Sequence, residues 1–317
     1  MRCLITGGSG FVGRALTSQA LLKGHDVRLA LRRPQGADQI VGAEVVTVVE
    51  PSVDTDWTAA LRNIETVMHL AARVNIMNDN SSDQLAEFRR VNVEMTTALA
   101  RQAAALGVRR FVFLSSIKVN GEFTQAERPF TSKDVPAPKD SYGVSKHEAE
   151  QALRQIAAET RMEVVIIRAP LVYGPGVKAN FESMMRWVSR GFPLPLAAFT
   201  ENRRSLVALD NLVDIIITCL NHPAAANQTF LVSDGEDIST ADLLKRTAAV
   251  LGHPSRLFYL PKSFLYLLAT LANKSEIYQR LGGSLQLDIS KTRQMLDWNP
   301  PINVDEGLRR AADGFQW

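Results

Sequence analysis

Thr6-Gly7-Gly8-Ser9-Gly10-Phe11-Val12-Gly13 follows the β-rich run Arg2 to Thr6 and leads into a helical pattern from Val12 to Lys23. A side chain at Gly7 or Gly10 would obstruct the turn and keep a pyrophosphate from approaching the helix N-terminus, whose free N–H groups and dipole attract anions. Gly13 lets the helix sit close to the sheet. A glycine pattern alone is weak, but strand, turn and helix in this order point to a dinucleotide site rather than a structural turn. Gly7, Gly10, Phe11, Val12 and Gly13 are its candidate contacts.

Outward from this turn, β-rich runs and helical patterns alternate. Val27 to Leu31, Val45 to Val49, Thr66 to Leu70, Phe111 to Ser115 and Val164 to Arg168 read as parallel strands buried on both faces. Gln84 to Leu106 and Tyr142 to Thr160 read as helices, and Gly24 and Gly107 are helix stops. The expectation is a doubly wound α/β sheet over residues 1–170. Beyond Pro170 the cluster Gly174, Pro175, Gly176, Pro193 and Pro195 breaks the periodicity, so a smaller α/β lobe is expected over 171–317, with some later segments returning to the first domain. Its pieces are helices at Phe181 to Ser189, Leu212 to Leu220, Ala241 to Leu251 and Val304 to Ala312, and a strand around Leu206 to Leu209 that could itself return to the first sheet.

The 317 residues are 46% apolar and 22% charged with a net charge of +3, which suits a globular chain and argues against disorder. Lys and Arg are spread rather than massed, so nucleic acid is not an expected partner. Cys3 and Cys219 form neither a disulfide framework nor a metal-ligand spacing, and no metal is expected. With no signal-peptide pattern at the start, the expected location is cytoplasmic. Phe264 to Ala272 is the most apolar later stretch, far short of the about 20 residues that cross a bilayer. Helix packing is its expected role, and a membrane-surface contact is the alternative.

The second strand ends Val27-Arg28-Leu29-Ala30-Leu31-Arg32-Arg33, without the carboxylate that would bind an adenosine ribose diol. A 2′-phosphate would be attracted by Arg32 and Arg33, which tilts the expectation to NADP, with NAD the alternative if both arginines simply solvate a strand end. After the fifth strand stand Ser115 and Ser116, at the sheet edge where ligands bind in open α/β folds. Tyr142 and Lys146, four apart on a helix, share one face, so the ammonium is placed to lower the phenol's pKa and to reach a nicotinamide ribose. A serine holding a substrate oxygen beside that phenol suits proton exchange there while a nicotinamide exchanges hydride at carbon.

These segments, with His69-Leu70-Ala71-Ala72, Asn92, the Tyr142-Gly143-Val144-Ser145-Lys146 run, Arg168-Ala169-Pro170 and Val172-Tyr173-Gly174-Pro175-Gly176, resemble the extended short-chain dehydrogenase/reductase superfamily, in the NAD-dependent epimerase/dehydratase family. The resemblance covers almost the whole chain and implies a Rossmann-like fold. It implies Ser116, Tyr142 and Lys146 as catalytic serine, acid/base tyrosine and assisting lysine. Ser115 is the competing serine; Ser116 is preferred because the serine of UDP-galactose epimerases stands five residues before the glycine that is Gly121 here. Leu70, Ala71, Ala72, Ser115 and Pro170 are implied as further cofactor contacts, and Asn92 as a support for the active-site backbone. Asn180-Phe181, Arg204 and Arg280 resemble the elements of the nucleotide-sugar branch that meet a sugar diphosphate. A UDP-sugar is therefore the implied substrate.

Departures from the family pattern narrow the chemistry. Sugar-nucleotide dehydratases carry Thr-Asp-Glu where this chain has Ser116-Ile117-Lys118, so dehydration is disfavoured. The favoured expectation is reduction of a UDP-4-keto-6-deoxy-N-acetylhexosamine at C4 for surface polysaccharide, and the alternative is a UDP-sugar 4-epimerase with retained NAD. A non-catalytic cofactor sensor would typically lose the tyrosine or lysine, and both are kept. Lys118 is expected to cap or support rather than to touch substrate. The resemblance implies a homodimer through helices 84 to 107 and 142 to 160.

Overall fold

The computed structural model describes residues 1–33, 41–49, 51–74, 83–125 and 127–315. Ten strands are present among them: β1 (Arg2–Thr6), β2 (Asp26–Leu31), β3 (Glu44–Thr47), β4 (Thr66–His69), β5 (Arg110–Ser116), β6 (Glu163–Ala169), β7 (Leu171–Tyr173), β8 (Arg204–Ala208), β9 (Thr229–Leu231) and β10 (Asp237–Ile238). The helices are α1 (Phe11–Leu22), α2 (Thr58–Leu61), α3 (Gln84–Arg89), α4 (Met95–Ala105), α5 (Ser141–Glu159), α6 (Ala179–Ser189), α7 (Leu209–Asn221), α8 (Thr240–Val250), α9 (Lys262–Leu271), α10 (Ser275–Gly282), α11 (Ser290–Leu296) and α12 (Val304–Asp313).

Seven strands form one parallel sheet in the order β3-β2-β1-β4-β5-β6-β9. Side chains of a strand alternate between faces, and both faces here are covered. Ile5, Val112, Val165 and Ile167 pack on the face with α1 and α7. Leu4, Phe111, Phe113, Val164 and Ile166 pack on the other with α4 and α5. This explains why the strands read as continuous apolar runs. The chain leaves β1 toward β2 and β3, then crosses to β4 on β1's other side, so the strand order reverses between β1 and β4, where an open α/β sheet presents a ligand crevice.

The strand through Leu206 does not rejoin this sheet. It pairs with β7 and β10 in a separate three-stranded sheet, and the segment that does return is β9, beside β6. Tyr173, Phe181, Met185, Leu206, Leu244 and Leu308 make a separate core under the small sheet. The helix expected over 84 to 106 is interrupted by a π-helical turn at Arg90–Glu94, which carries Asn92. Such turns recur at functional sites because the widened ring redirects a side chain.

Candidate active site

At the crevice, Gly7 has φ +74°, and a Cβ there would lie 2.7 Å from the Ala71 nitrogen and 2.9 Å from the Leu70 carbonyl carbon. A Cβ on Gly13 would lie 2.1 Å from the Gly7 oxygen, which accepts from the Gly10 N–H at 3.0 Å. Gly10 is the N-cap of α1 and provides no side-chain cap, so the first-turn amides beside half-buried Phe11 and Val12 are open to an anion. The turn thus has the backbone room and the donors that a dinucleotide pyrophosphate requires. Leu70, Ala71 and Ala72, at the end of β4, are half-buried beside it.

Beneath the crevice lies a buried relay that the sequence reading does not single out. The Ala71 N–H donates to Thr6 Oγ1 at 3.4 Å, leaving the Thr6 proton for His69 Nδ1 at 2.7 Å; His69 Nε2 then faces Thr96 Oγ1 at 2.9 Å. Burial lowers the His69 pKa to about 3, and the nearby Lys146 charge acts in the same direction. This imidazole is a neutral brace between β1, β4 and α4.

Tyr142 and Lys146 sit one turn apart on α5, whose N-cap Asp140 accepts from the Gly143 N–H at 2.7 Å. The Tyr142 ring rests edge-on against Phe88 of α3, with centroids 6.0 Å apart. Between the two residues, Ser145 donates to the Tyr142 carbonyl at 2.8 Å and accepts from Asn92 Nδ2 at 3.0 Å. Asn92 also accepts from the Arg73 N–H and donates to the Arg73 carbonyl, at 2.8 and 3.1 Å. One amide on the π turn therefore ties the loop after β4 to the helix that bears Tyr142.

The two serines face opposite ways, as alternation along β5 dictates. Ser115 is buried and donates to Glu150 Oε1 at 2.6 Å. Glu150 is clasped by buried Arg168 through Nε and Nη2 at 2.9 and 2.6 Å, and Arg168 Nη1 donates to Asn120 at 2.8 Å. Burial alone would raise the Glu150 pKa, but the Arg168 hydrogen bonds and charge prevail and lower it. Ser116 is half-buried at the strand end and accepts from the Lys118 N–H at 3.3 Å, so its own proton is not used there. Pro170 is buried between β6 and β7.

The electrostatics differ from the sequence expectation. Burial, and then the Asp140 carboxylate, push the Tyr142 phenol above its ordinary value. Lys146 donates to the Leu114 carbonyl at 2.8 Å, lies over the Phe113 ring at 4.3 Å, and has its pKa lowered by burial to about 7. Burial thus works against the charge of the amine and is the leading cause at the phenol as well. The charge that acts on Asp140 belongs to Lys118, whose Nζ pairs with Asp140 and, at 3.6 Å, with Glu122. Lys118 thus braces the cap of the helix bearing Tyr142. An acid directly before Ser141 was the available signal for that cap.

On the second lobe the structure brings Arg204 and Arg280 together. Arg204 Nη1 donates to the carbonyls of Arg280 and Gly283 at 2.7 and 3.1 Å, at the C-terminal end of α10. Burial, then the Arg280 charge, lower its pKa. Arg280 is exposed, with Glu276 3.8 Å away. Asn180 is exposed in the first turn of α6, and no hydrogen bond among the described residues joins it to the arginine pair. Arg32 and Arg33 are exposed at the end of β2 and make no ion pair among the described residues.

A parallel sheet with a glycine cradle at its switch point, and a Tyr-x-x-x-Lys helix over the next strand ends, defines a dinucleotide-binding oxidoreductase fold. The NAD dependent epimerase/dehydratase family model matches residues 3–233, and the chain belongs to that family. It is an enzyme of the extended short-chain dehydrogenase/reductase class, in the nucleotide-sugar branch. It is 47% identical to a UDP-glucose 4-epimerase of Vibrio cholerae over 313 residues, covering 98% of this chain and 94% of that one. The fold matches the UDP-glucuronic acid 4-epimerase of Bacillus cereus in complex with NAD at TM-score 0.79 and 19% identity, over 99% of this chain and 96% of that one. It matches the UDP-glucose 4-epimerase of Thermotoga maritima with UDP-glucose at TM-score 0.77 and 22% identity, over 99% and 98%.

Proposed function

We propose that the protein is a UDP-sugar 4-epimerase that retains NAD through its cycle. The observation that carries this reading is the 47% identity, over nearly the whole chain, to a UDP-glucose 4-epimerase. It supports this alternative better than the 4-keto reduction, which Leu31 and Arg32 and the family likeness of Ser115 to Gly121 and Pro170 to Phe181 favoured. When bound at the glycine turn, the dinucleotide supplies hydride acceptance at the sugar's C4 and its return.

Around that chemistry, Tyr142 takes the proton of the 4-hydroxyl and gives it back, and Ser116 donates to the same oxygen. The raised proton affinity of the phenol keeps it protonated, the form from which the proton is returned, and a positively charged neighbour is needed to form the phenolate that takes the proton and to ease its return. Lys146 supplies that charge when protonated, which its pKa of about 7 makes sensitive to the solution near neutrality. An epimerase must expose both faces of C4 to one hydride carrier. Recognition therefore belongs on the invariant diphosphate, and Arg204 with Arg280 supplies it. In this reading residues 1–170 with β9 hold the cofactor, and 171–317 hold the sugar nucleotide. Two copies pair through α4 and α5, a point that sedimentation in solution tests.

The test is incubation of the purified protein, with no added cofactor, with UDP-glucose and UDP-N-acetylglucosamine. The expected outcome is a C4-epimeric product with no net change in nicotinamide absorbance, and NAD released on denaturation. The reductase reading keeps one observation of its own, the exposed Arg32 and Arg33. It would prevail if no epimer formed and a UDP-4-keto sugar consumed NADPH stoichiometrically, with Arg32→Ala narrowing the preference over NADH.

A further inference from the structure

Helix α9 has none of its residues buried, although its sequence is Lys-Ser-Phe-Leu-Tyr-Leu-Leu-Ala-Thr-Leu. Phe264, Leu267, Leu268 and Leu271 recur at the spacing of one helical face and are 46%, 52%, 44% and 76% exposed. Half-buried Leu265 and Ala269 lie on the other side. Trp187, near the end of α6, is exposed as well, at 54%. The segment that follows α6 meets the segment that precedes α9 through the Leu194–Leu257 bridge and through Arg256 Nη1 donating to the Gly191 carbonyl at 3.2 Å. An apolar stripe of this kind on a folded chain marks a contact surface.

The charge around it says what it contacts. The sequence has no Asp or Glu from residue 243 to 275, in a chain with about one acid in ten residues, and that stretch carries Lys245, Arg246, Arg256, Lys262 and Lys274. Arg246 and Lys262 are neutralised by carboxylates from outside the stretch. Arg256 and Lys274 have no carboxylate partner among the described residues. The exposed acids beside it, Glu201 and Glu276, already lie against Lys262 and Arg280, so a two-fold contact between copies would set Arg256 and Lys274 of one basic face against those of the other. A ten-residue helix is about 15 Å long, half of a bilayer's hydrocarbon thickness of about 30 Å, so it can lie in a membrane interface but not cross it. Apolar and aromatic side chains on one face with unpaired cations at the margin match what an anionic lipid surface binds.

We propose that the α9 face, with Trp187 at its edge, seats this enzyme on the surface of an anionic membrane. The test is co-sedimentation of the full chain with phosphatidylcholine vesicles, with and without phosphatidylglycerol, beside quenching of tryptophan emission by brominated lipid. Binding is expected on phosphatidylglycerol vesicles, with release by salt, and quenching that Trp187→Phe removes. Leu267→Gln with Leu271→Gln, both at exposed positions, should weaken it about tenfold or more. Arg256→Gln and Lys274→Gln should each weaken it about fivefold, on anionic vesicles only. The proposal is overturned by absence of binding to anionic vesicles, or by binding that neither pair of substitutions alters. It is equally overturned if the Leu267→Gln, Leu271→Gln variant turns a lipid-free oligomer into a monomer, since a second copy then covers the face.

Discussion

Helices α5 and α9 break the ordinary rule of burial in opposite directions. The first has a polar sequence yet buries Ser145, Lys146 and Glu150 along with Ala149, Leu153 and Ile156; the second is mostly apolar and has no fully buried residue. Charge in a protein interior is costly unless paired and hydrogen-bonded, and every buried polar group on α5 is matched: Glu150 by Arg168, Lys146 by the Leu114 carbonyl, Ser145 by Asn92. Apolar surface in water is unfavourable by about 25 cal/mol per Å² until something covers it. The first departure coincides with the residues proposed for catalysis, and the second with the face proposed to meet a membrane surface.

The largest effect expected on the α5 side is that of Tyr142→Phe, which removes one hydroxyl. Turnover should fall by about 10²- to 10⁴-fold while cofactor content and melting stay near those of the parent. Turnover within a few-fold of the parent would move the acid/base role elsewhere. Next in size is Glu150→Ala, which strands the buried Arg168 guanidinium. A loss of about 3–5 kcal/mol is expected by denaturant unfolding, far more than Arg154→Ala should cost, since Arg154 meets the same carboxylate from an exposed position.

The arginine pair tests whether the same contrast holds between lobes. Arg204→Ala should weaken UDP binding by about 2–5 kcal/mol in calorimetric titration. It should also lower the melting temperature, because Arg204 caps the carbonyl end of α10, whereas exposed Arg280→Ala should weaken binding and leave melting unchanged. Equal melting losses in both variants would reduce the pair to a structural clasp.

A smaller effect concerns pH. The folded Lys146 has a pKa of about 7 against an ordinary value of 10.5, so between those two values the unfolded chain binds more protons than the folded one. Stability contributed at this residue must then rise with pH across that window. Lys146→Met should remove the increment, and parallel stability–pH curves for parent and variant would refute the buried-lysine assignment. Smallest of all, Leu271→Gln should change unfolding free energy by no more than about 0.5 kcal/mol, as at any surface position.

How much of this was legible follows from how far apart the interacting residues lie. The glycines at 7, 10 and 13 are constrained by their own turn, the Tyr142–Lys146 pair by one helical repeat, and the parallel sheet by continuous apolar runs separated by helices. Each is a local periodicity that neighbouring residues carry, and so the sequence by itself determined the fold class, the glycine turn and the one-turn spacing of the two side chains proposed to react. The tertiary structure supplied the physical reason for preferring Ser116 over Ser115, because the pleat of β5 turns Ser115 inward onto Glu150 and leaves Ser116 half-buried at the strand end. It alone brought Lys118 to Asp140, Glu150 to Arg168, and Arg204 to the end of α10, pairs separated by 22, 18 and 76 residues. It also chose β9 rather than the Leu206 strand to close the sheet. Proton affinities belong with these: the lowered amine of Lys146 and the raised phenol of Tyr142 come first from burial, which no spacing along the chain encodes.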